Sequence, residues 1–263
     1  MRHFLIPLLR FHASMCIFHP AAIAFYAQRA YTVLINPPEV RTMKLMFSAL
    51  TKALAGFLLM ALLLFLPAGT WGYPGAWRLA ALLFIPMAVL GVVLGLKAPE
   101  LLRKRLNMRE RARGQQKVVA LAGLMLILGF VAAGLDYRFG WSRVSTLAVV
   151  IASILFLVGY GMYAEVLREN AWLSRTVEVM EGQQVVSTGL YGIVRHPMYT
   201  ATLLIFLTIP VVLGSWWALP LFLPYPLLMV MRIRGEEALL RRELPGYEAY
   251  TKKVKWRMVP YIW

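Results

Sequence analysis

Six apolar windows, at about 49–67, 77–96, 118–135, 144–165, 198–213 and 216–231, dominate this chain and leave little room for any other organisation. Each is compatible with a helix across a hydrocarbon layer of about 30 Å, where only segments that satisfy their own backbone polar groups survive. The chain is 60% hydrophobic and 15% charged over 263 residues, and a soluble domain of that size could not solvate so much apolar surface. The expected fold is therefore all-α: a polytopic integral membrane protein with about six hydrophobic helices, the last two forming a C-terminal hairpin. The hairpin turns at Gly214-Ser-Trp-Trp217, and Pro220, Pro224 and Pro226 predict a kinked second arm.

The basic residues sort the connectors. Lys97 to Lys117 holds eight Lys and Arg, Arg232 to Arg257 holds another eight, and 68–76 and 214–217 hold none. By the positive-inside rule, both ends and the connectors at 97–117 and 166–197 face the cytoplasm, the expected membrane being of the bacterial inner type. The formal charge of +16 follows from this placement, so anionic lipid headgroups are the expected partners rather than nucleic acid. Nothing implies an obligate protein partner. The single cysteine, Cys16, excludes an internal disulfide, and no cluster of Cys, His and acidic residues has metal-ligand spacing. Asp136, the only aspartate, lies in a short opposite loop and reads as interfacial anchoring.

Three regions are expected. Residues 1–42, interrupted by Arg10, His19-Pro20 and Pro37-Pro38, read as an accessory extension, interfacial or disordered, rather than a signal peptide. Residues 43–182 carry the first four helices and the basic loop 97–117. Residues 183–263 carry the hairpin, the tail and the candidate site.

The candidate site comes from four pieces that a closed hairpin brings to one membrane edge: Thr188-Gly-Leu-Tyr191, Arg195-His-Pro-Met-Tyr199, Glu236-Glu237 and Tyr247-Glu-Ala-Tyr250. The glutamates suit a ligand ammonium, Arg195 or an exposed helix start suits a carboxylate, and the tyrosines offer faces to a flat base. Pro197 stands where a helix can begin, which leaves first-turn N–H groups free for a ligand. Each piece also has an ordinary reading: basic residues at a helix end snorkel, a glutamate pair can head a solvated helix with Arg241, and the tyrosines can form an interfacial belt. Gly159-Tyr-Gly161 reads as a close helix contact.

The order Gly189-Leu-Tyr-Gly-Ile-Val-Arg-His-Pro-Met-Tyr199, a hydrophobic hairpin, Glu236-Glu237, Pro245-Gly-Tyr-Glu-Ala-Tyr250 and Arg257-Met-Val-Pro260 resembles the isoprenylcysteine carboxyl methyltransferase family and the related phospholipid N-methyltransferases. The resemblance covers about 183 to 263, and Thr200-Ala201 stands where the family has Thr-Gly. It implies S-adenosyl-L-methionine as cofactor, bound on the cytosolic side beneath the tail, and a lipophilic or prenylated acceptor reaching the site from the bilayer. Carried over by position, Gly189, Leu190, Tyr191, His196, Pro197, Tyr199, Glu237, Tyr247 and Tyr250 would bind the cofactor. Arg195 and Glu236 would be the catalytic pair, with either glutamate able to orient the acceptor beside Arg195. The reaction implied is methyl transfer in which positioning and exclusion of water supply most of the acceleration. A carboxylate, an amine or a thiol acceptor remains open at this point.

Two other classes compete. Membrane sterol reductases using NADPH also carry Arg-His-Pro-x-Tyr before a terminal hairpin, but Glu236-Glu237 should repel a 2′-phosphate. A transport subunit should place polar residues at mid-bilayer depth, and the first three spans hold almost none.

Overall fold

The computed structural model describes residues 38–263 apart from 108, 109, 111 and 112, and shows no strand among them. The helices are α1 (Pro38–Ala68), α2 (Pro74–Lys97), α3 (Pro99–Leu106), α4 (Arg113–Phe139), α5 (Thr146–Glu169), α6 (Pro197–Leu213), α7 (Leu219–Phe222), α8 (Tyr225–Glu243) and α9 (Tyr247–Lys253), with a 3₁₀ turn at Gly189–Gly192. Four of them, α1, α2, α4 and α5, are long and apolar enough to cross a membrane, and the protein is a polytopic membrane protein. The expected extension over 1–42 lies outside the described residues except for 38–42, which already belong to α1.

Proline and small polar residues set the helix starts. Pro74, Pro99 and Pro197 each occupy a first-turn position, where the missing N–H costs nothing and the fixed φ favours the helix. Ser145 caps α5 by accepting from the Ala148 amide at 3.2 Å. Gly214, at φ 81°, ends α6 in the left-handed conformation that glycine adopts without penalty.

The sixth apolar window is not one helix. Its first residues, Trp216 and Trp217, belong to the hairpin turn, α7 lasts four residues, and the chain breaks at Leu223-Pro224 before α8 begins. Prolines at 220, 224 and 226 remove donors and crowd the preceding turn, so the predicted kink becomes a break. Beyond its apolar beginning α8 continues through Arg232 to Glu243, carrying both glutamates on one rigid helix.

α5 and α6 pack closely along one another. A Cβ at Gly159 would lie 2.8 Å from Ile205 Cγ1 and 3.0 Å from the Ala201 carbonyl, so the close-contact reading holds for Gly159, while Gly161 faces open space. The core runs through Leu64, Leu79, Phe156, Val212, Phe222 and Ile233. Large apolar side chains such as Leu58, Leu66, Ile85 and Ile154 remain exposed on the outer faces, as a lipid solvent allows.

Asp136 is not an interfacial anchor. It is buried, accepts from the Ser142 amide at 2.8 Å and the Ser142 hydroxyl, and accepts from the Ser215 hydroxyl at 2.5 Å. It thereby joins the loop after α4 to the hairpin turn. Nearby, the Tyr73 hydroxyl and the Arg78 guanidinium donate to the carbonyls of Leu213 and Val212 at 2.8 Å each, closing the last turn of α6. This edge is tied down by side chains, which leaves the opposite, basic edge to hold the site.

Candidate active site

The basic edge gathers the connector 170–196, the end of α8, α9 and the tail. A cavity of about 90 Å³ lies there, and its wall includes Tyr191, Arg195, His196, Tyr199, Glu236, Tyr247 and Tyr250. These come from all four pieces singled out in the sequence. Gly189, Leu190, Pro197 and Glu237 do not line it. Gly189, at φ 54°, shapes the 3₁₀ turn that presents Tyr191, and Pro197 starts the helix that presents Tyr199.

The two glutamates have different surroundings. Glu237 is buried: Arg257 Nε donates to Oε2 at 2.9 Å, Arg195 Nε lies 3.2 Å from Oε1 and His196 Nε2 lies 3.3 Å from Oε1. Burial alone would raise its carboxyl, but the hydrogen bonds from His196 and Arg257 and the charge of Arg195 outweigh it and hold it at about 2. Glu236 is 26% exposed at the cavity and accepts from the Tyr199 hydroxyl at 2.5 Å, while Arg232 Nε donates to that same phenol oxygen at 3.1 Å. His196 sits between the two carboxylates, its Nδ1 4.0 Å from Glu236 Oε1. Arg195 Nε, though close to Glu237, is off hydrogen-bonding alignment and has no hydrogen-bond partner among the described residues.

The tyrosines are neutral donors with apolar faces. Burial pushes the Tyr191 phenol up to about 12 against the hydrogen bond from Asn170. Burial, then the Glu237 and Glu236 carboxylates, raise Tyr247, and burial with Tyr191 raises Tyr250. The Tyr250 hydroxyl donates to the Tyr191 carbonyl at 2.7 Å, which locks α9 to the 3₁₀ turn.

The tail lies across the start of α6. The amides of Arg195 and His196 donate to the carbonyls of Trp256 and Arg257 at 2.9 and 2.8 Å, and the Thr200 hydroxyl donates to the Met258 carbonyl at 2.6 Å. The amides just before the helix are thus taken by the tail rather than offered to a ligand.

Sequence reasoning missed much of the wall. Residues 172–186, which form no helix, contribute Trp172, Val177, Glu178 and Val185 among others. Nothing periodic marks such a segment. It hangs from basic side chains: Lys104 and Arg105 of α3 donate to the carbonyls of Ala171 and Ser174 at 3.1 and 2.8 Å, and Arg232 donates to that of Arg175 at 2.7 Å. Lys104 and Arg105, two of the basic residues that sort the connectors, are also tethers. The 97–117 stretch is accordingly not a plain loop, since α3 buries Leu101 and Leu102.

Comparison with known proteins points to two enzyme classes. One stretch is 32% identical over 91 residues to the Delta(14)-sterol reductase TM7SF2 of Mus musculus, covering 34% of this chain and 22% of that protein. Another is 25% identical over 127 residues to the Delta(14)-sterol reductase of Arabidopsis thaliana, covering 44% of this chain and 34% of that one. The chain thus matches about a third or less of the length of these curated relatives. The family resemblance carried by the Arg195-His-Pro-Met-Tyr199 motif holds, and extends further forward than the motif: residues 144–245, from α5 to just past α8, match the phospholipid methyltransferase family.

Proposed function

We propose that this protein is an S-adenosylmethionine-dependent methyltransferase of the membrane, acting on a lipophilic acceptor at its basic, cytoplasmic edge. The observation that carries the reading is the convergence of Glu236, Arg195 and the tyrosines 191, 199, 247 and 250 on one cavity within and just beyond the family-matched residues. The donor set fits the cofactor. Glu236, held by Tyr199, suits the ammonium, the guanidinium of Arg195 at the cavity wall suits the carboxylate, and the tyrosine faces suit the base and the sulfonium. The cavity of about 90 Å³ is smaller than the roughly 300–1,000 Å³ of ligand pockets, so its wall must widen to admit the whole cofactor.

When bound, the cofactor supplies an electrophilic methyl group. The protein's part is to orient the two reactants and keep water out, with the 172–186 segment closing over them. A carboxylate acceptor, as in a prenylated cysteine, needs no base. A phospholipid amine must lose a proton, and His196, between Glu236 and Glu237, is the imidazole placed to take it.

A second reading, an NADPH-dependent sterol-type reductase, is favoured by the names of the two relatives. The charge argument against it is weaker than two adjacent glutamates suggest. Arg195 and Arg257 neutralise Glu237, which leaves Glu236 and Glu178 as the carboxylates of the cavity wall, beside Arg195 and Arg232.

Calorimetric titration of the detergent-purified protein with S-adenosylhomocysteine and, separately, with NADPH decides between them. Saturable binding of the first, weakened about tenfold or more in Glu236→Gln, is the expected result. Binding of NADPH alone would replace the methyltransferase with the reductase.

A further inference from the structure

We propose that the lateral groove between α2, α3 and α5 is a phospholipid site, with an acyl chain in its apolar trough and an anionic headgroup at Lys97 and Lys104. The proposal goes beyond the methyl-transfer reading and does not depend on it.

α2 and α5 meet deep in the spans, where the Tyr160 hydroxyl donates to the Leu83 carbonyl at 2.9 Å. Nearer the basic edge α3 wedges beside them, and a groove of about 530 Å³ opens, within the range of small-molecule sites and room enough for part of an acyl chain. Leu90, Leu94, Leu101 and Leu167 form its walls. Leu90 precedes Lys97 by seven residues, about 10 Å along the helix, so the trough runs from headgroup depth into the hydrocarbon layer.

The charges at its mouth select the occupant. Glu100 pairs with Arg103 at 2.7 Å, and Glu165 and Glu169, which do not line the groove, share Arg168 at 2.7 and 2.5 Å, so one carboxylate charge of that trio is left over. Lys97 has no partner among the described residues. The Lys104 ammonium donates to the Ala171 carbonyl and stands 5.1 Å from the centre of the Trp172 ring, contacts that leave its charge uncompensated. The net positive charge over an apolar trough, carried by Lys97 and Lys104 at its mouth, complements a lipid with an anionic head, whereas a zwitterionic lipid brings its own cation against it. Trp172 lines both this groove and the polar cavity, so a lipid seated here would abut the wall of the candidate active site.

The test is native mass spectrometry of the delipidated full chain, titrated with phosphatidylglycerol and phosphatidylcholine of identical acyl chains. One phosphatidylglycerol should bind about tenfold more tightly than phosphatidylcholine. The preference should fall in Lys97→Gln, a side chain with no hydrogen bond or ion pair among the described residues, and vanish in Lys97→Gln/Lys104→Gln. Leu94→Trp, which fills the trough, should lose both lipids while keeping the wild-type unfolding temperature. Equal affinity for the two lipids, a preference that survives the lysine substitutions, or undiminished binding in Leu94→Trp would overturn the site.

Discussion

Glu236 and Glu237 are neighbours in the chain, yet one faces a cavity and the other is held in an ion cluster. Successive helical residues point about 100° apart, so a glutamate pair on one helix always serves two environments. The sequence marked the pair without telling its members apart, because which of them meets Arg195 and Arg257 depends on how the tail folds back. The consequences should differ. Glu237→Gln leaves Arg195 and Arg257 without their shared counter-charge and should cost about 3 kcal/mol, read as a lowered unfolding temperature in detergent. Glu236→Gln should leave that temperature unchanged and show its effect in ligand titration. Because Glu237 is held at about 2, below the ordinary 4.5, its contribution is complete above pH 4.5 and lost as pH falls toward 2. The stability gap between wild type and Glu237→Gln should therefore narrow between pH 5 and pH 3 in thermal melts.

At the scale of elements, the α5–α6 pair and the broken second arm position the site. α6 spans only about 26 Å by its 17 residues, and it relies on its tight packing against α5. Gly159→Ala should lower stability by about 1–3 kcal/mol, since the new methyl meets a backbone carbonyl and an isoleucine, whereas Gly161→Ala should be neutral or slightly stabilising. Chemical unfolding of the two variants side by side checks this. The helices themselves were legible from apolar windows and prolines. The connector 170–196 was not, because its order comes from Lys104, Arg105 and Arg232 reaching its carbonyls across gaps of 57 to 69 residues. No local pattern records such distant tethers.

For the whole molecule, the two edges are built differently. One is closed by Asp136, Tyr73 and Arg78; the other carries most of the basic residues, the cavity and the lateral groove. Labelling with a membrane-impermeant maleimide should report this polarity. With Cys16 replaced by serine, Trp217→Cys and Lys253→Cys should react from opposite sides of sealed vesicles, Lys253→Cys from the cytoplasmic one. Labelling of both from one side would contradict the alternation of the helices.

Hydropathy and the distribution of arginine and lysine determined by themselves that this chain forms membrane helices and which connectors share an edge, because lipid imposes those constraints locally on each segment. The order of the Gly, Arg-His-Pro, Tyr and Glu residues marked the resemblance to the phospholipid methyltransferase family that residues 144–245 match. Only the tertiary structure decided that Glu236 rather than Glu237 borders the cavity, that the sixth window breaks, and that residues 172–186 supply much of the wall. Those outcomes rest on contacts between residues far apart in the chain, whose partners are chosen by packing and charge in three dimensions.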